Sequence, residues 1–234
     1  FYFHNSVLAR SYMQLKIHNE GWVYFVISCL ITIMIIPFYT ILGIFLCILS
    51  IYIFYFFRDP IRAISIDDVV VSPADGLVTF VGSAKNPLEN IVDKKNYTKI
   101  SIFLSIFDVH VNRMPVDAKV ISINYIPGKF LNATLNKSSN DNERNIIFAK
   151  KNNDNIYIVQ IAGLIARRIV CNLKKNQEII KGDRIGIIKF GSRVDLYLPE
   201  NYNILISKGQ KVIGGETIIS NPNNIQNIKN TILK

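Results

Sequence analysis

Hydrophobic and polar positions divide the chain into two parts with different patterns. Between Gly21 and Phe57 there is no Asp, Glu, Lys or Arg, so 37 consecutive residues are uncharged and mostly apolar. After Asp59-Pro60 the pattern changes to short β-branched runs separated by Gly, Pro, Asn and Asp. Runs of this kind are typical of strands joined by turns. We therefore expect an apolar helical segment followed by a β-rich domain.

The apolar segment, residues 21–57, predicts a membrane anchor. It is too long for the apolar region of a signal peptide, and one span needs about 20 residues whereas two spans with a tight turn need about 40. Pro37 lies near its middle, so a helical hairpin and one long kinked span both remain open. Trp22 and Tyr55 lie towards its ends, where amphipathic rings favour the membrane interface. Basic residues on both flanks favour the hairpin, with both ends cytoplasmic. A buried hairpin of a soluble protein is the alternative.

The rest of the chain predicts a mainly β fold with few helices. The predicted strands are 69–72, 77–81, 99–107, 119–125, 145–149, 156–161, 168–172, 184–190 and 217–219. Two Gly-containing segments, 72–78 and 208–217, look like the turns of barrel-sandwich hybrids, although such turns also occur in other β proteins. The expected organisation is an N-terminal flank at 1–20, the anchor at 21–57, a β-rich domain at 58–220 and a loosely ordered tail at 221–234.

Composition and charge narrow the classes of function. The chain has 234 residues, half of them hydrophobic, and three cysteines without metal-ligand spacing, which excludes intrinsic disorder and a disulfide scaffold. It begins with Phe1, so we expect its extreme N-terminus to be missing or processed. The formal net charge of +10 fits an anionic membrane surface, which attracts each nearby Lys or Arg by about 1 kcal/mol. An ordinary basic surface explains the charge equally well. Nucleic acid is not an expected partner, because no nucleic-acid-binding motif accompanies the charge.

Three polar features interrupt the apolar runs. Asp75 lies at a predicted turn between Pro73 and Gly76, where a turn aspartate is the simplest interpretation. At the end of the predicted strand 99–107, alternation places Asp108, His110 and Asn112 on one face. Such a face needs hydrogen-bond partners or a wet cleft, and a satisfied buried histidine is the alternative to a catalytic one. Gly191-Ser192 follows the predicted strand 184–190, and this pair alone has no functional meaning.

Taken together, six motifs follow one another in a characteristic order. They are Phe56-Phe57-Arg58-Asp59-Pro60-x-Arg62, Ser72-Pro73-Ala74-Asp75-Gly76, Phe107-Asp108-Val109-His110-Val111-Asn112-Arg113-x-Pro115, Asn142-Glu143-Arg144-Asn145, Gln160-Ile161-Ala162-Gly163-x4-Arg168 and Gly182-Asp183-Arg184-x-Gly186-x3-Phe190-Gly191-Ser192. The series closely resembles the short form of phosphatidylserine decarboxylase proenzymes over roughly residues 56 to 199. Several independent motifs in one order argue against a chance match.

The resemblance implies an enzyme that cleaves itself. In that family the serine hydroxyl attacks the preceding carbonyl, and the resulting ester eliminates to a dehydroalanine that hydrolyses to a pyruvoyl group and ammonia. Carried to this chain, cleavage between Gly191 and Ser192 gives a β subunit of residues 1–191 and an α subunit of residues 192–234. The pyruvoyl group from Ser192 then serves as the electron sink for decarboxylating phosphatidylserine to phosphatidylethanolamine and CO₂. The expected location is the inner membrane, with the catalytic domain in the cytoplasm.

The resemblance also implies roles for individual residues. His110 matches the family's strand histidine and is the expected general acid or base, since its unperturbed pKa suits proton transfer near pH 7. Asp75 matches the family aspartate that orients or assists the base activating the serine, here Ser192. Longer members have a second histidine three residues after the first, and here that position is Arg113, which leaves the base for self-cleavage open. Arg113, Arg144 and Arg168 are candidate ligands of the lipid phosphate. No metal is expected.

Two alternative functions remain, one in another class of protein and one with another substrate. A non-enzymatic membrane-anchored adaptor built from barrel-sandwich modules would explain the anchor and the Gly-rich turns. Such adaptors need a long helical hairpin between the modules, and none is evident in the sequence. The other alternative is a pyruvoyl-dependent decarboxylase for a different serine-containing lipid, because the sequence does not define the lipid tails.

Overall fold

A computed structural model describes residues 16–88, 95–128, 142–163, 168–189, 192–222 and 231–234. The chain forms two compact units, Phe1–Ile61 and Arg62–Lys234. In the described part of the chain, the first unit contains two helices and the second contains all of the strands that are named below. The mainly β prediction is therefore confirmed.

The first unit is a helical hairpin. Helix α1 spans Asn19–Ile35 and helix α2 spans Thr40–Phe56. At the start of α1, Nδ1 of His18 accepts a hydrogen bond from the Glu20 amide, which satisfies one of the amides left free at a helix N-terminus. The hydroxyls of Thr32 and Ser50 lie 3.3 Å apart across the pair. Most of the large apolar side chains on both helices are exposed.

The predicted transmembrane segment is not confirmed. Within the part of the chain that the structure describes, neither helix combines the length and the apolar character required to cross a membrane. Residues 36–39 separate two helices of 17 residues each.

The second unit consists of short antiparallel strands. Their bounds are β1 Ala63–Ser65, β2 Val70–Val71, β3 Gly76–Ala84, β4 Tyr97–Leu104, β5 Val111–Arg113, β6 Ala118–Ile126, β7 Arg144–Lys151, β8 Asp154–Ala162, β9 Ile169–Cys171, β10 Glu178–Ile179, β11 Arg184–Ile188, β12 Ser192–Pro199, β13 Lys211–Val212, β14 Ile218–Ser220 and β15 Thr231–Leu233.

An eight-stranded sheet dominates this unit, with the order β10-β6-β7-β8-β12-β4-β3-β13. A three-stranded sheet has the order β5-β11-β9, and two further pairs join β1 to β15 and β14 to β2. The register shifts between Val78 and Phe80, and again between Val120 and Ser122. Irregularities of this kind increase local twist and bend a strand, so they help the large sheet to curl.

The main core lies between one face of the large sheet and the three-stranded sheet. Ile102, Ile158 and Leu196 come from the central strands of the large sheet, and Ile185 and Ile188 come from β11; all five belong to one buried cluster. Along the central strands of the large sheet, the residues between these core positions point to the opposite face of that sheet. That face carries a smaller cluster built around Tyr97, Tyr157 and Tyr197.

The strands differ from the sequence prediction in several places, and β1, β5, β10 and β13 have no predicted counterpart. The strand expected to continue through Phe107 ends at Leu104, and residues 105–108 turn into β5, which belongs to the other sheet. Strand β12 was not predicted. In the tail expected to be loosely ordered, Thr231–Leu233 pairs with β1. The polar residues 132–142 predict a loop, and apart from Asn142 they lie outside the described residues.

The close approach of β9 and β11 gives a test of the fold. Gly186 has φ +154°, and a Cβ there would overlap the carbonyl oxygen of Val170. Gly186→Ala should therefore lower the free energy of unfolding by roughly 3–5 kcal/mol, measured by urea unfolding of the full chain. Gly209 also has positive φ but has no atom within 4 Å of an added Cβ. Gly209→Ala should cost only about 1–2 kcal/mol. Equal costs would contradict this packing.

Candidate active site

Ser192 is the first residue of β12, in the centre of the large sheet. It pairs with Leu104 of β4 on one side and with Ala162 of β8 on the other. Its side chain is fully buried, and its Oγ has no hydrogen-bond partner among the described residues. Alternation along β12 places it on the same face as Val194, towards the main core. Ser192 is therefore a nucleophile candidate enclosed by protein.

The chain reaches Ser192 by crossing from one sheet to the other. Strand β11 ends at Ile188 in the three-stranded sheet, and β12 begins four residues later in the eight-stranded sheet. Phe190 and Gly191, which form the predicted cleavage motif with Ser192, lie outside the described residues. The predicted break therefore falls immediately before the first residue of β12.

His110 lies immediately before β5 and is fully buried. Its Nδ1 is 3.0 Å from the carbonyl oxygen of Asp108, and since a carbonyl only accepts, Nδ1 is the donor. In the neutral ring Nε2 is then the basic nitrogen. The carbonyl of His110 accepts a hydrogen bond from the Ile188 amide at 3.4 Å. His110 is thus attached to the end of the strand that leads to Ser192.

Asp108 has a different role from the one that alternation predicts. Its Oδ2 accepts hydrogen bonds from the amide of Ser105 at 2.8 Å and from the Ser105 hydroxyl at 2.6 Å. These bonds close the turn between β4 and β5, and the Asp108 carbonyl then orients His110. Asp108 belongs to the turn and not to a polar strand face.

Asp75 is held by a cation and by a backbone amide. Its Oδ2 accepts a hydrogen bond from Arg62 at 2.7 Å, and its Oδ1 accepts one from the Gly214 amide at 2.7 Å. Burial raises the pKa of Asp75, whereas Arg62 and the Gly214 amide act in the opposite direction. Both carboxylate oxygens of Asp75 therefore have partners other than His110, whose Nδ1 bonds to the Asp108 carbonyl.

A chain of three buried amides crosses the core beside Ser192. Nδ2 of Asn145 donates to Oε1 of Gln160 at 2.9 Å, and Nε2 of Gln160 donates to Oδ1 of Asn112 at 2.8 Å. All three residues are at most 1% exposed. Sequence reasoning placed Asn112 on a polar face and Gln160 in a motif, but it assigned neither a function. The sequence signal that could have identified these residues is the presence of amide side chains inside otherwise apolar strands.

The three candidate arginines lie in different places. Arg113 is 2% exposed, and its guanidinium donates to the Gly182 carbonyl at 2.8 Å. Arg144 pairs with Ile161 on β8 and lies on the face of the sheet opposite to Ser192. Arg168 is exposed, and its carbonyl accepts a hydrogen bond from the Lys189 amide. The structure therefore does not bring these three residues into one cluster.

The face of the sheet opposite to Ser192 carries buried charges that the sequence analysis missed. Asp195 lies 2.9 Å from Nε of Arg193 and 3.0 Å from Nζ of Lys99. Arg144 and Asp195 also line a small cavity with Tyr197, next to this ion cluster. Both Arg193 and Asp195 follow Ser192 on β12, so the cluster fixes the strand that begins with the candidate nucleophile.

Among the described residues, no group of three or more His, Cys, Asp or Glu side chains is placed to hold a metal ion.

Comparison with known proteins identifies related chains. The family model for phosphatidylserine decarboxylase matches residues 49–220. A protein of Pelagibacter ubique is 50% identical over 208 residues, covering 88% of this chain and 96% of that protein. A protein of Ehrlichia chaffeensis is 48% identical over 208 residues, covering 88% and 91%. One of Rickettsia africae is 47% identical over 206 residues, covering 87% and 89%. Each of the three is named phosphatidylserine decarboxylase proenzyme.

The Arg62–Asp75 pair gives a prediction about pH dependence. Arg62→Leu removes the cation that opposes burial, so the pKa of Asp75 should rise further. A carboxyl whose pKa is raised on folding loses stability as pH rises through that pKa. The variant should therefore be less stable than the wild-type chain by a larger margin at pH 7 than at pH 4, measured by urea unfolding. In an Asp75→Asn background this pH dependence should vanish, and its persistence would contradict the assignment.

Proposed function

This chain belongs to the phosphatidylserine decarboxylase family, and on that premise we propose which residues carry out its chemistry. The protein is an enzyme that removes the carboxylate of phosphatidylserine as CO₂ and leaves phosphatidylethanolamine. It is made as a proenzyme and depends on a pyruvoyl group formed when the chain cleaves itself. The observation that carries the assignment of residues is the position of Ser192, buried at the start of β12.

Self-cleavage starts from the hydroxyl of Ser192. Its Oγ attacks the carbonyl carbon of Gly191 and gives up its proton to Nε2 of His110, the basic nitrogen in the neutral ring. An oxyanion forms on that carbonyl and collapses as the bond to the Ser192 nitrogen breaks, and the released amine takes up a proton. The product is an ester between Gly191 and the Ser192 side chain. Burial helps, because water cannot compete with the hydroxyl for the carbonyl.

The surroundings of Ser192 fit a pyruvoyl group at this position. A pyruvoyl group supplies the electron sink for the negative charge that loss of CO₂ leaves on the substrate. Leu104 and Ala162 flank the position from the two neighbouring strands. His110, fixed by the Asp108 carbonyl, is the group that returns a proton to the substrate carbon.

Cleavage leaves the two subunits joined by backbone hydrogen bonds. Each described strand after Ser192 pairs with strands that precede residue 191: β12 with β4 and β8, β13 with β3, β14 with β2, and β15 with β1. The described strands of fragment 192–234 therefore form parts of several sheets together with strands of the larger fragment. This arrangement supports a stable heterodimer of residues 1–191 and 192–234.

The remaining charged residues support substrate binding and the position of the site. Arg168 is exposed and is tied through its carbonyl to Lys189, three residues before Ser192. Of the three arginines, it is the best placed to meet a lipid phosphate. Arg113 and Arg144 have protein surroundings, so their contribution to phosphate binding is indirect. Asp75 acts by holding Arg62 and residue 214 in place.

The helical hairpin supports attachment to a membrane. Its exposed apolar side chains suit an acyl environment, and the Arg58 guanidinium lies 3.8 Å from the centre of the Tyr55 ring at the end of α2. An aromatic ring next to a cation suits the headgroup region. The hairpin would hold the enzyme on an anionic membrane surface, at the cytoplasmic face of the inner membrane, where its diacyl substrate lies.

Substitution of Ser192 tests the assignment. Wild-type chain purified in detergent should release labelled CO₂ from vesicles that contain carboxyl-labelled phosphatidylserine. Ser192→Ala should stay as one polypeptide and release none, because it lacks the nucleophile and the source of the pyruvoyl group. Ser220 is also fully buried, and its Oγ has no partner among the described residues. Ser220→Ala is therefore the matched control and should cleave and react normally. Cleavage of Ser192→Ala at this site would contradict the assignment.

A further inference from the structure

The buried amides of Asn145, Gln160 and Asn112 form a chain with one direction. Each nitrogen donates to the oxygen of the next residue, at 2.9 Å and then at 2.8 Å. Oδ1 of Asn112 is therefore occupied by Gln160, and the chain ends on Nδ2 of Asn112. That nitrogen is buried and has no hydrogen-bond partner among the described residues. A buried donor without a partner lowers the stability of the folded state. Its presence here therefore suggests that the donor has a function.

The register places this chain next to Ser192. Gln160 lies on β8 two residues before Ala162, which pairs directly with Ser192. Side chains two residues apart share a face, so Gln160 and Ser192 are diagonal neighbours on the core face of the sheet. The Gln160–Asn112 hydrogen bond shows that Asn112 of β5 faces the same region from the opposite sheet.

The path of the chain brings Asn112 and His110 to the same end of the core. They are two residues apart, and the His110 carbonyl is bonded to the Ile188 amide. Ile188 ends β11, and Ser192 follows after three intervening residues. The candidate base and Asn112 therefore lie on a segment that is hydrogen-bonded to the end of β11, and the nucleophile begins the next described strand.

We propose that Nδ2 of Asn112 donates a hydrogen bond to the carbonyl oxygen that becomes negatively charged when Ser192 attacks, and so stabilises the oxyanion of self-cleavage. This inference rests on the proposed function. The carbonyl in question is bonded to the nitrogen of Ser192, so the charge develops next to the residue that the amide chain borders. A donor oriented before the reaction, in a site that excludes water, is the arrangement that stabilises such an oxyanion most effectively.

Gln160 and Asn145 act as positioning residues. An asparagine amide can turn over and present its oxygen instead of its nitrogen, and an oxygen would repel the developing charge. Because Nε2 of Gln160 holds Oδ1 of Asn112, and Asn145 holds Gln160 in the same sense, Nδ2 is kept as the atom of Asn112 that can donate to a further acceptor. The amides are neutral, so this stabilisation does not depend on a titrating group.

The test follows self-cleavage of the newly synthesised full chain on denaturing gels, so that decarboxylase activity is not the readout. Asn112→Asp keeps the acceptor for Gln160 but removes the donor, and cleavage should slow by roughly 10²–10³-fold. Gln160→Glu leaves Asn112 intact, but the introduced carboxylate accepts from Nδ2 of Asn112 and turns that amide over. Cleavage should slow here too, and combining the two substitutions should add little.

Controls separate this effect from loss of the fold and from failure of the proposed function. Asn124 of β6 donates to Ser122 away from the site, so Asn124→Asp should cleave at the wild-type rate. Urea midpoints of each variant in a Ser192→Ala background report folding without cleavage. Should Asn112→Asp fail to fold, Gln160→Glu decides alone. Wild-type cleavage rates in the folded variants would overturn the role of Asn112 and leave the proposed function standing. A wild-type chain that never cleaves would overturn both.

Discussion

Strand β12 is hydrogen-bonded to β4 along its whole length and to β8 over residues 192–197, and this double pairing would hold Ser192 in place before and after the proposed cleavage. A chain terminus normally frays, because few contacts hold it. The terminus that the proposed cleavage creates would lie in the centre of an eight-stranded sheet. The reactive group can therefore be made from the backbone without losing its position, since neighbouring strands replace the covalent connection.

Polar groups on both faces of β12 are buried, and each set has internal partners. On the face of Ser192, the amides of Asn112, Gln160 and Asn145 bond to one another. On the other face, Asp195 lies between Arg193 and Lys99. Buried polar groups are tolerated when they are hydrogen-bonded or paired. Removing one partner leaves the other buried and unpaired, which lowers the stability of the fold. The two sets thus help to specify the register of β12, which an apolar core could not do.

The sequence allowed much of the fold to be predicted because apolar β-branched runs are a local signal. Strands such as β3, β6 and β8 lie close to their predicted positions for this reason. Strand β12 was not predicted, because Arg193 and Asp195 alternate with Val194 and Leu196, and charged residues usually indicate a solvated face. The end of β4 at Leu104 was not predicted, because the run 99–107 has the pattern of one continuous strand. The turn that follows is closed by the Asp108 side chain. The motif order pointed to Ser192, His110 and Asp75, whereas the partners of each depended on contacts between distant segments.

The central claim is that Ser192 becomes the N-terminus of a fragment that stays folded into the larger one. Its most direct test is the mass of the purified wild-type protein in native and in denaturing buffer. In native buffer we expect one species that contains both fragments. In denaturant we expect two, the smaller beginning at residue 192 with the mass of a pyruvoyl group in place of serine and blocked to Edman sequencing. A single intact polypeptide in denaturant would contradict the account, as would a small fragment with a free serine at its N-terminus.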